Sequence, residues 1–212
     1  MNFLNNIGFD NNTISIFGDS IVYDNDNHKI NFLYHKSFFE PNFKNEFLSI
    51  TKQRFIPADF FNIVNPLKSP FIYEVYFFNS FADAMAFYQI KKLFSFENAL
   101  FVITGNNPKF SYIQYLKNDY PNLKKFYLVY PNSFLGKMSD VKLACYLNGI
   151  NNISFILKNN ILTVFYNSQS VSINRNSFSL SMIRKGLNIT FPYKTFKSKL
   201  AESYFDELIF NK

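Results

Sequence analysis

A chain of 212 residues is long enough to bury a substantial core, and its 48% apolar content, with 29 Phe and 14 Tyr, excludes a disordered polymer. No apolar run approaches the roughly 20 residues that a membrane span needs. The net charge of +7 is unevenly spread. Residues 1–70 carry six Lys/Arg against seven Asp/Glu, residues 71–150 eight against five, and residues 151–212 eight against three.

The N-terminus, MNFLNNIGFDNN, has no cationic region followed by a long apolar stretch, which argues against a secretory signal. A lone Cys145 in KLACYL excludes an intramolecular disulfide framework, so the cytoplasm is the expected compartment. TISIFG, SIVYD and KINFLYH alternate apolar and polar residues and read as strands, with the Asp24-Asn25-Asp26-Asn27 tract as a hairpin turn. That tract resembles the start of a calcium loop but lacks the Gly and the distant Glu of an EF-hand. The stretch SITKQRFIPADFFNIVNPLKSP, with Pro57, Pro66 and Pro70, reads as a winding connection.

From Pro70 the pattern changes. FIYEVYFF, ALFVIT, KKFYLVY and NISFIL read as buried strands, separated by helices in SFADAMAFYQIKKLF, KFSYIQYLKND and KMSDVKLACYL. Three strand–helix alternations predict an α/β fold, a Rossmann-like parallel sheet flanked by helices, behind a β-rich N-terminal extension. ILTVFY and SVSINR read as a hairpin around Asn167-Ser168-Gln169, and KSKLAESYFDELI as a C-terminal helix. The expected division is a β-rich region over 1–69, an α/β core over 70–158, and a basic hairpin and helix over 159–212 completing the same domain.

In open α/β sheets, ligands bind beyond the carboxyl ends of the strands. Those ends deliver Asn79 to Ala86, Gly105-Asn106, and Pro131 to Gly136. Order and spacing here resemble the Toprim domain of bacterial primases, topoisomerases and related mobile-element proteins. In that family the first strand ends in Glu within an E-x-x-x-D-A-L-S pattern, the second ends in Gly, and the third ends in D-x-D with a Gly soon after. Asp83, Gly105 and Gly136 match, over about 80 residues of chain. The family's acids fall on Asn79, Pro131 and Ser133. Mg²⁺ requires anionic oxygen ligands, and an amide cannot exchange a proton near neutral pH. The resemblance therefore implies a scaffold without the family's catalysis and with no metal or cofactor.

Other chemistry has little support. His28 and His35 are seven apart, so a regular strand would place them on opposite faces. A Cys–His pair would need Cys145 to reach one of them. The turn Gly105-Asn106-Asn107-Pro108 would present N–H groups to a phosphate, or would simply be a strand–helix turn. An unrecognised enzyme would need Asp24, Asp26, Glu40 and Glu46 to converge on the Asn79 side of the sheet.

Between Asp140 and Glu202 there is no acidic residue. Arg175, Arg184, Lys185, Lys194, Lys197 and Lys199 lie in that stretch, interleaved with Phe178, Phe191, Tyr193 and Phe196. A DNA- or RNA-binding accessory module would use these cations on phosphates and the aromatics on unpaired bases. Alternatively the aromatics are core, the pocket is filled in, and the partner is a protein.

Overall fold

The computed structural model describes residues 3–34, 45–49, 51–92 and 95–210. Five strands form the central sheet, in the order β12(Lys194–Thr195), β8(Lys125–Leu128), β6(Glu74–Phe78), β7(Ala99–Ile103) and β5(Asn62–Val64). β12, β8, β6 and β7 run parallel, and β5 pairs antiparallel with β7. The fold is mixed α/β, a mixed sheet flanked by helices. β7 and, after Glu74, β6 are continuously apolar because both of their faces are covered.

The period of two along the strands divides the core in two. Val75, Phe77, Leu100 and Val102 point into one cluster, with α4(Phe110–Asp119) and α5(Phe134–Leu147). Tyr76, Phe78, Phe101 and Ile103 point into the other, with α3(Phe81–Ile90), α7(Tyr204–Phe210) and the N-terminal region. The Phe excess is mostly core: Phe60, Phe61, Phe77, Phe78, Phe81, Phe87 and Phe101 are all fully buried.

Around this sheet, several segments depart from the sequence reading. TISIF is helical, within α2(Asn11–Phe17), which follows α1(Phe3–Ile7). The Asp10 carboxylate caps α2 by accepting from the Thr13 N–H, and Thr13 and Phe17, four apart, form its buried side. The alternation of Ile14 and Ile16 imitates a strand without being one. β1(Ile21–Asp24), β2(Lys29–Phe32), β3(Glu46–Ser49) and β4(Arg54–Phe55) make a four-stranded antiparallel sheet. In its first turn, Asp24 accepts from both the backbone and the side chain of Asn27. The winding connection contains β4 and β5, and β5 is a strand of the main sheet.

NISFIL does not join the parallel sheet. As β9(Ser154–Lys158) it pairs with β10(Ile161–Tyr166), which pairs with β11(Gln169–Asn174), in a separate three-stranded antiparallel sheet. A tight Asn159–Asn160 turn, both residues at positive φ, joins β9 directly to β10 and so holds it in that hairpin. The edge beside β8 is taken instead by the short β12. The Ser-rich segment contains α6(Leu180–Gly186), and α7 is shorter than the predicted C-terminal helix. Among the described residues no helix is long and apolar enough to cross a membrane.

Candidate functional site

The carboxyl ends of β6, β7 and β8 bring Asn79, Asp83, Gly105, Pro131, Ser133 and Gly136 to one edge of the sheet. Ser80 caps α3: its hydroxyl accepts from the Asp83 N–H at 3.0 Å and donates to Asp83 Oδ2 at 2.7 Å. The Arg54 guanidinium meets the same oxygen at 2.9 Å, and the Phe205 N–H reaches Asp83 Oδ1 at 3.0 Å. Both oxygens of this buried carboxylate therefore have donors. Ser133 caps α5 by accepting from the Gly136 N–H at 3.2 Å. A side chain at Gly136 would run into the Pro131 carbonyl, so the first turn of α5 requires glycine. Asn79 is buried and donates to Asn106 Oδ1 at 3.3 Å, while its own Oδ1 is buried with no hydrogen-bond partner.

Gly105 has φ +69°, and a Cβ there would lie 2.6 Å from the Pro57 carbonyl oxygen and 2.7 Å from that of Ala58. The loop at 57–60 presses on this turn. The Asn106 N–H donates to the Pro57 carbonyl and the Asn107 N–H to that of Ala58. The Asn106 and Asn107 amides are thus already satisfied, which fits the plain strand–helix turn better than a phosphate cradle. On the other side, the Asn132 N–H donates to the Glu202 carbonyl. The crevice between β6 and β8, where an open α/β sheet holds its ligand, is crossed by the chain's own segments.

Of the N-terminal acids, Glu46 does arrive there. It leaves β3 and accepts from the Phe81 and Ala82 N–H groups at 2.7 and 3.3 Å, with 1% of its surface exposed. Burial pushes its carboxyl up to about 8, against the two backbone donors and Arg54, while nearby Asp83 adds to the rise. Its role is a second cap on α3. Asp24 and Asp26 stay in the β1–β2 turn, and Glu40 lies outside the described residues. His28 is in the same turn, and His35 is also outside the described residues. Burial pushes the Cys145 thiol up to about 12, so it is no ready nucleophile. Among the described residues no three His, Cys, Asp or Glu side chains gather in a metal-holding group.

An open cavity lies nearby, where α5, α6 and β12 meet. It measures about 340 Å³ and is lined by residues including Lys137, Asp140, Arg184, Phe191, Tyr193 and Lys197. Asp140 is 2% exposed, and its Oδ2 receives Lys197 Nζ at 2.5 Å. The same ammonium donates to the Tyr130 carbonyl at 2.8 Å and reaches that of Pro131 at 3.4 Å. Asp140 Oδ1 is buried with no hydrogen-bond partner. Burial pushes the Asp140 carboxyl up to about 7, although Lys197 and Lys137 pull the other way. The same burial holds Lys197 below the ordinary lysine range.

The six cations named from sequence do not form one cluster. Arg184 and Lys197 line the cavity, joined by Lys137, which sequence reasoning missed. Its signal was available: it sits one helical turn before Asp140 on the same face. Arg175 is exposed and stacks 4.7 Å from the centroid of Phe134. Lys185, Lys194 and Lys199 are exposed and do not line the cavity. The proposed base-stacking aromatics are largely core: Phe178 and Phe191 are buried, Tyr193 and Phe196 half-buried. Tyr193 donates to Asn148 Oδ1 at 2.8 Å. No family model matches the chain, and neither does any curated protein or solved structure.

Proposed function

We propose that the chain is a non-catalytic, Toprim-like nucleic-acid-binding module that holds phosphate backbones with the cations of its C-terminal third. The observation that carries this reading is a set of exposed cations without acidic neighbours. Arg175, Arg184, Lys185, Lys194 and Lys199 are exposed, and none forms an ion pair among the described residues. Unpaired cations on an acid-free stretch keep their field for a polyanion. Binding would be electrostatic and tolerant of sequence, because the aromatics nearby are engaged in packing. The absence of catalysis rests on Asn79, Pro131 and Ser133 at the acid positions of the resembled pattern, and on Asp83 being fully engaged by Arg54, Ser80 and Phe205.

Fluorescence anisotropy with single- and double-stranded DNA and RNA across a salt series tests the reading. Binding should weaken steeply with salt, be indifferent to Mg²⁺ and leave the oligonucleotide intact. The triple variant K185Q/K194Q/K199Q should flatten the log–log salt slope by about 2–3 if all three contact phosphates. No binding at low salt defeats the proposal. A second reading, a protein-interaction module, draws on the opposite end of the sheet, where Phe71 is 75% exposed beside Tyr73, Lys124 and Lys125. Phe71→Ser would disturb that surface and leave nucleic-acid affinity unchanged.

A further inference from the structure

Contact with a polymer's backbone does not account for the buried end of the cavity between α5, α6 and β12. We infer that this cavity is a binding site for a nucleotide carrying a phosphomonoester, either a free mononucleotide or the phosphorylated end of a strand. The inference stands on the cavity itself and does not require the polymer-binding reading.

Size sets the first bound. About 340 Å³ lies at the small end of the ~300–1,000 Å³ typical of ligand pockets, which suits one nucleotide and excludes a duplex. Charge sets the second. Lys137, Arg184 and Lys197 face a single acid, Asp140, so the lining is net cationic. Lys197 already directs its ammonium to Asp140, Tyr130 and Pro131. An ammonium has three protons, so direct contact with a ligand anion falls to Lys137 and Arg184. Arg184 is exposed, and its fork of donors suits a phosphate.

Asp140 lines the cavity, and its Oδ1 is buried there without a hydrogen-bond partner. A buried acceptor without a partner is unfavourable by roughly 1–3 kcal/mol, and a ligand that offers it a donor recovers that. A phosphomonoester dianion has no proton to offer, so in such a ligand the donor comes from a sugar hydroxyl or a base amino group. The third feature is the wall of Phe191, Tyr193 and Leu180, which suits a flat, largely apolar body. Anion, donor and flat body together describe a nucleotide.

Isothermal titration of the full chain with AMP, adenosine and inorganic phosphate tests the site. AMP should bind saturably with one site per chain, at least tenfold more tightly than adenosine or phosphate alone. Arg184→Gln should weaken AMP at least tenfold with the melting temperature unchanged, and Lys199→Gln, outside the cavity, should not. Asp140→Asn should narrow the preference of AMP over phosphate. A single-stranded oligonucleotide with a 5′-phosphate, compared with its 5′-hydroxyl form, separates the two sources. A tenfold preference for the phosphorylated end identifies a strand terminus, and equal binding beside tight AMP binding identifies the free nucleotide. Absence of saturable AMP binding at millimolar concentration overturns the inference, as does AMP binding that survives K137Q/R184Q. AMP binding without polymer binding supports the site and defeats only the earlier reading. Polymer binding without AMP binding overturns the site and leaves the earlier reading standing.

Discussion

Asp83 and Asp140 invite direct comparison. Each is a buried carboxylate on a helix that packs against the central sheet, and each is paired with one cation. Around Asp83 the chain has supplied every partner: Arg54 and the Ser80 hydroxyl on one oxygen, the Phe205 N–H on the other. Around Asp140 it stops halfway, with Lys197 on Oδ2 and nothing on Oδ1. The first arrangement ties α3 to β4 and α7, and the second stands at the wall of an open cavity. A buried charge therefore says little about function by itself. The two carboxylates differ in whether their hydrogen bonds are complete, and only Asp140 keeps bonding capacity unused.

The sharpest way to break the comparison is truncation at the completed site. Asp83→Ala leaves the largely buried Arg54 with Asp206 at 3.9 Å as its ion-pair partner and the Ser203 hydroxyl at 3.4 Å, and removes the acceptor used by Ser80 and Phe205. The expected loss is about 3–5 kcal/mol in urea denaturation. A loss below about 1 kcal/mol would mean that Asp83 is no keystone.

A middle-sized effect concerns pH. Glu46 and Asp140 titrate at about 8 and about 7 in the folded chain, above the ordinary carboxyl values of 4.5 and 3.8. Between those values the folded state binds more protons than the unfolded one, so stability should fall as pH rises. The Glu46 window runs from about 4.5 to 8 and the Asp140 window from about 3.8 to 7. Each contributes a slope of at most about 1.4 kcal/mol per pH unit. Glu46→Gln should flatten the upper part of the profile, since a neutral amide oxygen still accepts from Phe81 and Ala82. A denaturation series at pH 5, 6, 7 and 8 measures it, and an unchanged slope would rule Glu46 out as its source.

The smallest effect is expected at Asp140. Asp140→Asn keeps an acceptor for Lys197 and relieves a charge that burial disfavours, so its cost should be at most about 1 kcal/mol. If it cost as much as Asp83→Ala, the distinction between a finished and an unfinished carboxylate would collapse.

The parallel α/β centre was legible because FIYEVYFF, ALFVIT and KKFYLVY are apolar without alternation, and the helices between them start at readable caps such as Ser80 and Ser133. What escaped was decided by partners far along the chain. Nothing local in NISFIL says that it will pair with the following hairpin rather than with β8. Nothing in TKQRF announces that Arg54 will meet a helix at residue 83. That Asn79, Gly105 and Pro131 follow the carboxyl ends of strands was legible, but the engagement of this edge by 57–60 and 197–206 depends on tertiary structure alone. The cavity was half visible: Arg184 and Lys197 stood in an acid-free stretch, whereas Lys137 and Asp140, just before it, drew no attention.

The Phe205–Asp83 hydrogen bond joins residues 122 positions apart. At about 5–20 residues per second, roughly 6–25 s of synthesis separate the appearance of this carboxylate from that of the amide that completes it. Until then α3 has its cap but Asp83 Oδ1 has only water, and the apolar side of α3 awaits α7. Closing this contact is a non-local step, and such closures favour slow folding. The nascent chain should be most open to proteases and chaperones around residues 81–90, its most apolar helix, throughout that interval.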